Sequence, residues 1–332
     1  MSDKISFQTV LEHLLESKKD IPESHLNLYS DLDPKSLRLF VDVWPRVNLT
    51  RKLILLDLLL THFESINIVS YEEIGHALLT DPDGEVRARA ICLLAESDNP
   101  KLVGTLTKIL LHDTEINPRI EAALLLGEFI LLGELEAIKA ELQRKAEDAL
   151  ISIIRSDENP ALRKCALEAV SYSSRTEVAA LIESAYERED PSWTATALLA
   201  MGRSHDDQWN ENVISNLLDE EPLIQAAAVQ AAGELAIEDA CPILIKLLED
   251  EELDADVVNA AIWSLSQIGG DEARIVLLNL LEQIEDEDVT EYIEEALENL
   301  DFTEELNKFD LLALDADDPE DLILDEDLDL DE

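Results

Sequence analysis

The chain has 332 residues, 46% of them hydrophobic, and carries 75 acids against 25 bases, a formal net charge of −50. Such a charge repels phosphate backbones and anionic bilayers, so direct nucleic-acid or membrane binding is not expected. Three scattered cysteines (Cys92, Cys165 and Cys241), with no C-x-x-C pair, read as small apolar residues in a reducing compartment. The acidic and polar start is no signal peptide, and no apolar run is long enough to span a bilayer, so a cytoplasmic protein is expected.

Few glycines and prolines, much Ala, Leu, Ile and Glu, and no period-two alternation in the body predict an all-α chain. Residues 4–19 predict an amphipathic helix with Ile5, Val10, Leu11, Leu14 and Leu15 inward, and a further helical turn follows through 25–32. Residues 1–33 read as an N-terminal cap over the first repeat.

From residue 34 a pattern of two short helices recurs to about residue 300. Its cleanest copy is residues 221–250, where Ile224, Ala228, Ala231, Ala232 and Leu235 share one face and Ala240, Ile243, Leu244, Leu247 and Leu248 share another. Glu221-Pro222 fits a helix start, and Gly233 is expected to end or loosen the first helix. Neither helix is long enough to stand alone in water, so each needs a neighbouring copy.

The inner helices start at Thr50, Val86, Pro118, Leu162, Trp193, Ile224, Val257 and Val289, spaced 36, 32, 44, 31, 31, 33 and 32 residues apart. A period in the low thirties with two helices per unit predicts an α-solenoid of about eight hairpins. The long interval is assigned to one extended helix over 134–154. Acids just before the starts (Asp81 or Asp83, Asp113, Asp157, Asp190, Asp219, Asp250 and Asp286) are placed to cap the inner helices. Stacking should also set Asp81, Asp113 and Asp157 beside arginines of adjacent units. An Asp–Arg ladder is therefore expected through Arg51, Arg87, Arg119 and Arg163, lapsing where the slot holds Thr194, Gln225, Val258 and Thr290.

These units resemble HEAT repeats, especially the short bacterial HEAT-like type. The resemblance rests on Asp83-Gly84-Glu85-Val86-Arg87 with Ala90, on Pro118-Arg119 with Ala122-Ala123, and on Ala261 with residues 264–269. It covers residues 34–300 and implies a curved scaffold for protein binding. Phycobilin lyases are similar, which implies a tetrapyrrole-handling alternative held by Tyr172, Trp263 and Arg203. HEAT-repeat hydroxylases carry His-Glu dipeptides that this chain lacks, and HEAT-like DNA glycosylases need a basic face.

Counted from each start, positions +3, +6 and +10 of the inner helices face away from the core. The +10 column holds Glu96, Glu128, Tyr172, Arg203, Glu234, Gln267 and Asn299. The +6 column holds Cys92, Leu124, Glu168, Leu199, Gln230, Trp263 and Glu295. The concave face should thus be acidic, with Tyr172, Arg203 and Trp263 as partner-binding candidates. Trp209 joins them, and Arg175 with Arg203 is expected to form a small cationic spot. Ser204, His205 and Asp206 are sequence neighbours and do not make a catalytic triad; Gly202 reads as a helix C-cap and Asp206 or Asp207 as an N-cap. The six histidines lack metal-ligand spacing. No enzyme activity, metal or cofactor is expected.

After residue 300 the periodicity fades. Residues 310–332 hold 12 acids and no base, interleaved with leucines. Residues 301–332 read as a largely disordered acidic tail, either electrostatic bait for a basic protein or peptide or an autoinhibitor of the concave face.

Overall fold

A computed structural model describes residues 5–16, 19–65, 68–250, 253–283 and 287–316. Among these residues there is no strand. Helix α1 (Phe7–Leu15) and a 3-10 segment (Glu23–Tyr29) precede eight helix pairs. The pairs are α2 (Pro34–Val43) with α3 (Leu49–Ser65), α4 (Glu72–Leu78) with α5 (Gly84–Cys92), and α6 (Leu102–His112) with α7 (Ile116–Glu134). Next come α8 (Ala140–Ile154) with α9 (Pro160–Val170), α10 (Thr176–Tyr186) with α11 (Pro191–Arg203), and α12 (Asn210–Asn216) with α13 (Pro222–Glu234). The last are α14 (Cys241–Leu247) with α15 (Ala255–Ile268) and α16 (Asp271–Gln283) with α17 (Glu287–Ala316). Every inner start read from the sequence falls in the first turns of an odd-numbered helix from α3 to α17, so the fold is an all-α run of repeated hairpins.

The chain divides into two compact units, Met1–Ser184 and Ala185–Glu332. In the first, α5 packs between α3 and α7, and α7 packs on α9, while α6 and α8 pair as outer helices. The cap lies on this unit: Val10, Leu11 and Leu14 of α1 are buried, and Phe7 meets the Tyr29 ring edge-on at 5.6 Å. In the second, the inner helices run α11, α13, α15, α17, each packed on the next.

Aspartates cap several inner helices. Asp83 accepts from the Glu85 and Val86 amides, and Asp190 from those of Ser192 and Trp193. For α9 and α15 the cap is Asn159 and Asp254 rather than Asp157 and Asp250, because only a residue directly before the first turn reaches the free N–H groups. Asp286 lies outside the described residues.

The structure corrects three expectations. Residues 134–154 are not one helix: α7 ends at Glu134 and α8 begins at Ala140, so the long interval comes from the 19-residue α7 and the 15-residue α8. The break is a Schellman turn, with the Ala137 amide on Leu132 O and the Glu136 amide on Gly133 O, and Glu136 in the left-handed region at φ 59°. Gly202 and Gly233 do not cap their helices either. Both are helical, and the left-handed residues that follow are His205 (φ 48°) and Ala236 (φ 49°). Finally, α17 crosses the expected boundary at 300/301 and continues to Ala316; residues 317–332 lie outside the described residues.

The glycines serve packing. A Cβ on Gly127 would stand 3.1 Å from the Ala169 Cα, one on Gly202 2.9 Å from the Ala231 Cα, and one on Gly233 2.7 Å from the Ser264 Cα. Each glycine lies eleven residues after the first residue of its inner helix, and each partner nine after that of the next. The recurrent Gly and small residue let consecutive inner helices approach backbone to backbone.

Candidate functional site

The first unit carries a groove of about 370 Å³ across α3, α5 and α7. Its floor is apolar, from Leu60, Phe63, Ile91, Ala95, Leu124 and Leu125, with Leu124 39% exposed. Its rim carries Glu64, Glu121 and Glu128, and no base lines it. Cys92 sits between floor and rim, its Sγ donating to Glu121 Oε2 at 3.3 Å. Burial and then the Glu121 charge push its thiol up to about 12, so Cys92 stays a neutral, weakly nucleophilic thiol. Leu124, Cys92 and Glu128 belong to the columns read from the sequence. Leu60 is the +10 residue counted from Thr50, a unit left out of those columns, and Phe63 and Glu64 lie past them at +13 and +14. The signal available was the Phe63-Glu64 pair closing a leucine-rich helix.

Beside the groove, Arg89 at position +3 of α5 is neutralised by Asp57 at 2.6 Å and Glu85 at 2.8 Å. Behind it run the charged contacts between repeats. Arg87 Nε and Nη2 donate to Asp113 Oδ2 and Oδ1 at 2.8 and 2.5 Å, and its Nη1 donates to Asp81 O at 2.7 Å. The other rungs differ from expectation. Arg119 takes Glu158, at 2.8 and 3.1 Å, in place of Asp157. Asp81 takes Lys52 Nζ at 2.8 Å and Trp44 Nε1 at 2.7 Å in place of Arg51. Arg51 is buried and donates to His13 O of the cap at 3.3 Å. Arg163 Nε donates to Ile154 O at 2.9 Å. The longer reach of Glu158 and the position of Lys52, one residue past Arg51 along α3, decide these exchanges.

Tyr172, half-buried at the end of α9, and Arg175 belong to the first unit, whereas Arg203, Trp209 and Trp263 belong to the second. Arg175 is no open cationic spot. Its guanidinium holds Asp148 at 2.7 Å, Glu147 at 3.1 Å and Glu177, and these carboxylates raise its pKa further. Trp209 is a core residue, 7% exposed, at the end of a 3-10 turn that Asp206 caps through the Gln208 amide. Arg203 is half-buried at the end of α11, and its charge acts on Glu234. Burial outweighs that attraction and the hydrogen bond from Gln230, so the Glu234 carboxyl is raised above the ordinary range. Glu234 Oε2 and Gln267 Oε1 are buried without hydrogen-bond partners, each folded against the glycine of the preceding inner helix. Trp263 is half-buried and stacks on Tyr292.

A family model for HEAT repeats matches residues 72–143 and 210–298. Over these two stretches the chain is similar to HEAT repeats. The first HEAT stretch holds the α5 and α7 walls of the groove, and the second holds Trp263 and Tyr292. Among solved structures, the complex of CpcE and CpcF of phycocyanin lyase from Nostoc sp. PCC7120 is similar at 19% identity and a TM-score of 0.45, over 69% of this chain and 94% of that one. The Escherichia coli protein YibA is similar at 13% identity and a TM-score of 0.42, over 85% of this chain and 97% of that one. No curated protein matches. Among the described residues no helix is long and apolar enough to cross a membrane.

Proposed function

We propose that the protein is a non-enzymatic interaction scaffold whose groove over α3, α5 and α7 holds an amphipathic, basic helix of a partner protein. HEAT repeats suit such a role, because stacked hairpins present a continuous surface rather than a converged catalytic cluster. The observation that carries the reading is the groove's composition: an apolar floor edged by Glu64, Glu121 and Glu128, with no lining base. A helix with leucines on one face and lysines at its flanks matches both parts. The net charge of −50 adds long-range attraction for the same partner. The tail serves as electrostatic bait; its charge has the sign of the rim, so it is a poor occupant of the groove.

The test uses the full chain and a fluorescent leucine–lysine amphipathic peptide. Leu124→Lys puts a cation in the floor and should lower affinity at least about tenfold, as expected for an unpaired charge in an apolar contact. Replacing Glu64, Glu121 and Glu128 by Gln should weaken binding and flatten its salt dependence. Equal affinity in all variants would sink the proposal. The tetrapyrrole alternative takes Tyr172, Arg203 and Trp263 as its holders, and a bilin titration without an absorbance change dismisses it.

A further inference from the structure

In the second unit, the Trp263 ring on α15 and the Tyr292 ring on α17 stack with centroids 6.2 Å apart and planes at 28°. Both are half-buried, and the Tyr292 hydroxyl is held on Asn259 O at 3.0 Å, which fixes its ring. Glu295, exposed one turn along α17, acts on the same ring: after burial, its carboxylate is the second cause raising the Tyr292 hydroxyl. Glu291 is exposed beside it.

The chain covers two of its other indoles with its own cations. Lys52 Nζ lies 4.8 Å from the Trp44 ring, and the Arg188 guanidinium 4.0 Å from that of Trp193. The inner helices around Trp263 offer none: α13, α15 and α17 as far as Glu305 hold no Lys or Arg. The nearby Arg274 of α16 is taken by Asp301 at 2.7 Å and Glu304 at 2.9 Å. An aromatic face with flanking carboxylates and no base of its own is complementary to an external cation.

We infer that Trp263, Tyr292 and Glu295 form a subsite for an arginine side chain of the partner. The guanidinium stacks on the aromatic pair while Glu295 accepts its N–H groups. The inference rests on the reading of a basic partner but uses a separate surface from the groove.

The experiment follows the four indole N–H resonances of the full ¹⁵N-labelled chain, Trp263 assigned by its loss in Trp263→Phe. The probe is a hexa-arginine peptide, with hexa-citrulline as its neutral counterpart. The arginine peptide should move the Trp263 resonance saturably and the citrulline peptide should not. Trp263→Leu should lower affinity about tenfold, the middle of the range for one cation–π contact, with an unchanged far-UV circular dichroism spectrum. Glu295→Gln should weaken binding and reduce its salt dependence. An unmoved Trp263 resonance, equal shifts at all four indoles, or wild-type affinity in Trp263→Leu would overturn the subsite. The Leu124→Lys chain separates the two proposals. It should still show the Trp263 shift, and its loss of leucine–lysine binding beside an unmoved Trp263 resonance would leave the groove standing and remove the subsite.

Discussion

Gly233 of α13 lies so close to Ser264 of α15 that a methyl group on the glycine would stand 2.7 Å from the Ser264 Cα. The Ser264 hydroxyl meanwhile donates to Val229 O at 2.8 Å, tying the two helices at the same level. Gly233→Ala gains about 1 kcal/mol of helix propensity but forces two backbones apart, at a cost of about 1–3 kcal/mol. A net loss of up to about 2 kcal/mol in urea unfolding is expected. Gly104 on α6 is the control. Its added Cβ meets only Lys145 Nζ at 3.4 Å, so Gly104→Ala should stabilise by about 0.5–1 kcal/mol. Equal effects at the two sites would refute the close-approach account.

Lys52, Asp81 and Trp44 form a buried charged cluster, with the Lys52 and Asp81 side chains only 10% and 2% exposed. Burial pushes the Asp81 carboxyl up, but Lys52, the Asp83 amide and the Trp44 indole together hold it below its ordinary value. The cluster's contribution is therefore present above the unfolded carboxyl's pKa and lost as pH falls through the lower folded value. Lys52→Met should cost about 3–5 kcal/mol at neutral pH, because it leaves a buried carboxylate unpaired. The difference from wild type should shrink on acidification, as measured by denaturation between neutral pH and about pH 3.

Glu234 behaves in the opposite sense. Its carboxyl is raised by burial, so the folded chain favours the protonated form. The ionised group destabilises the fold above its folded pKa, and this penalty disappears below the unfolded value. Glu234→Gln should therefore raise stability at pH 7 and make little difference in acid. A variant less stable than wild type at pH 7 would contradict the burial argument.

Cys92 reports on the groove. With its thiol raised to about 12, iodoacetamide at pH 8 should react with it far more slowly than with an unperturbed thiol, by about a thousandfold if reactivity follows thiolate content. Glu121→Gln should speed the reaction by removing the adjacent charge. Saturation with the leucine–lysine peptide should slow it further, and mass spectrometry of the modified chain reads each case.

The sequence by itself determined the hairpin plan. Period-3.6 faces, capping residues and a spacing in the low thirties are local properties, so they placed all eight inner helices. Tertiary structure decided what each special residue does. Gly202 and Gly233 look like helix ends in one dimension and are contact points in three, because their partners lie one repeat away. Trp209 and Arg175 look like binding residues until burial and three carboxylates account for them. The groove needs the ends of α3 and α5 against the middle of α7, and Tyr292 matters only because α17 brings it against Trp263. Periodicity sets which face a residue occupies, whereas its partner depends on the register between helices some thirty residues apart in the chain, and only their packing sets that register.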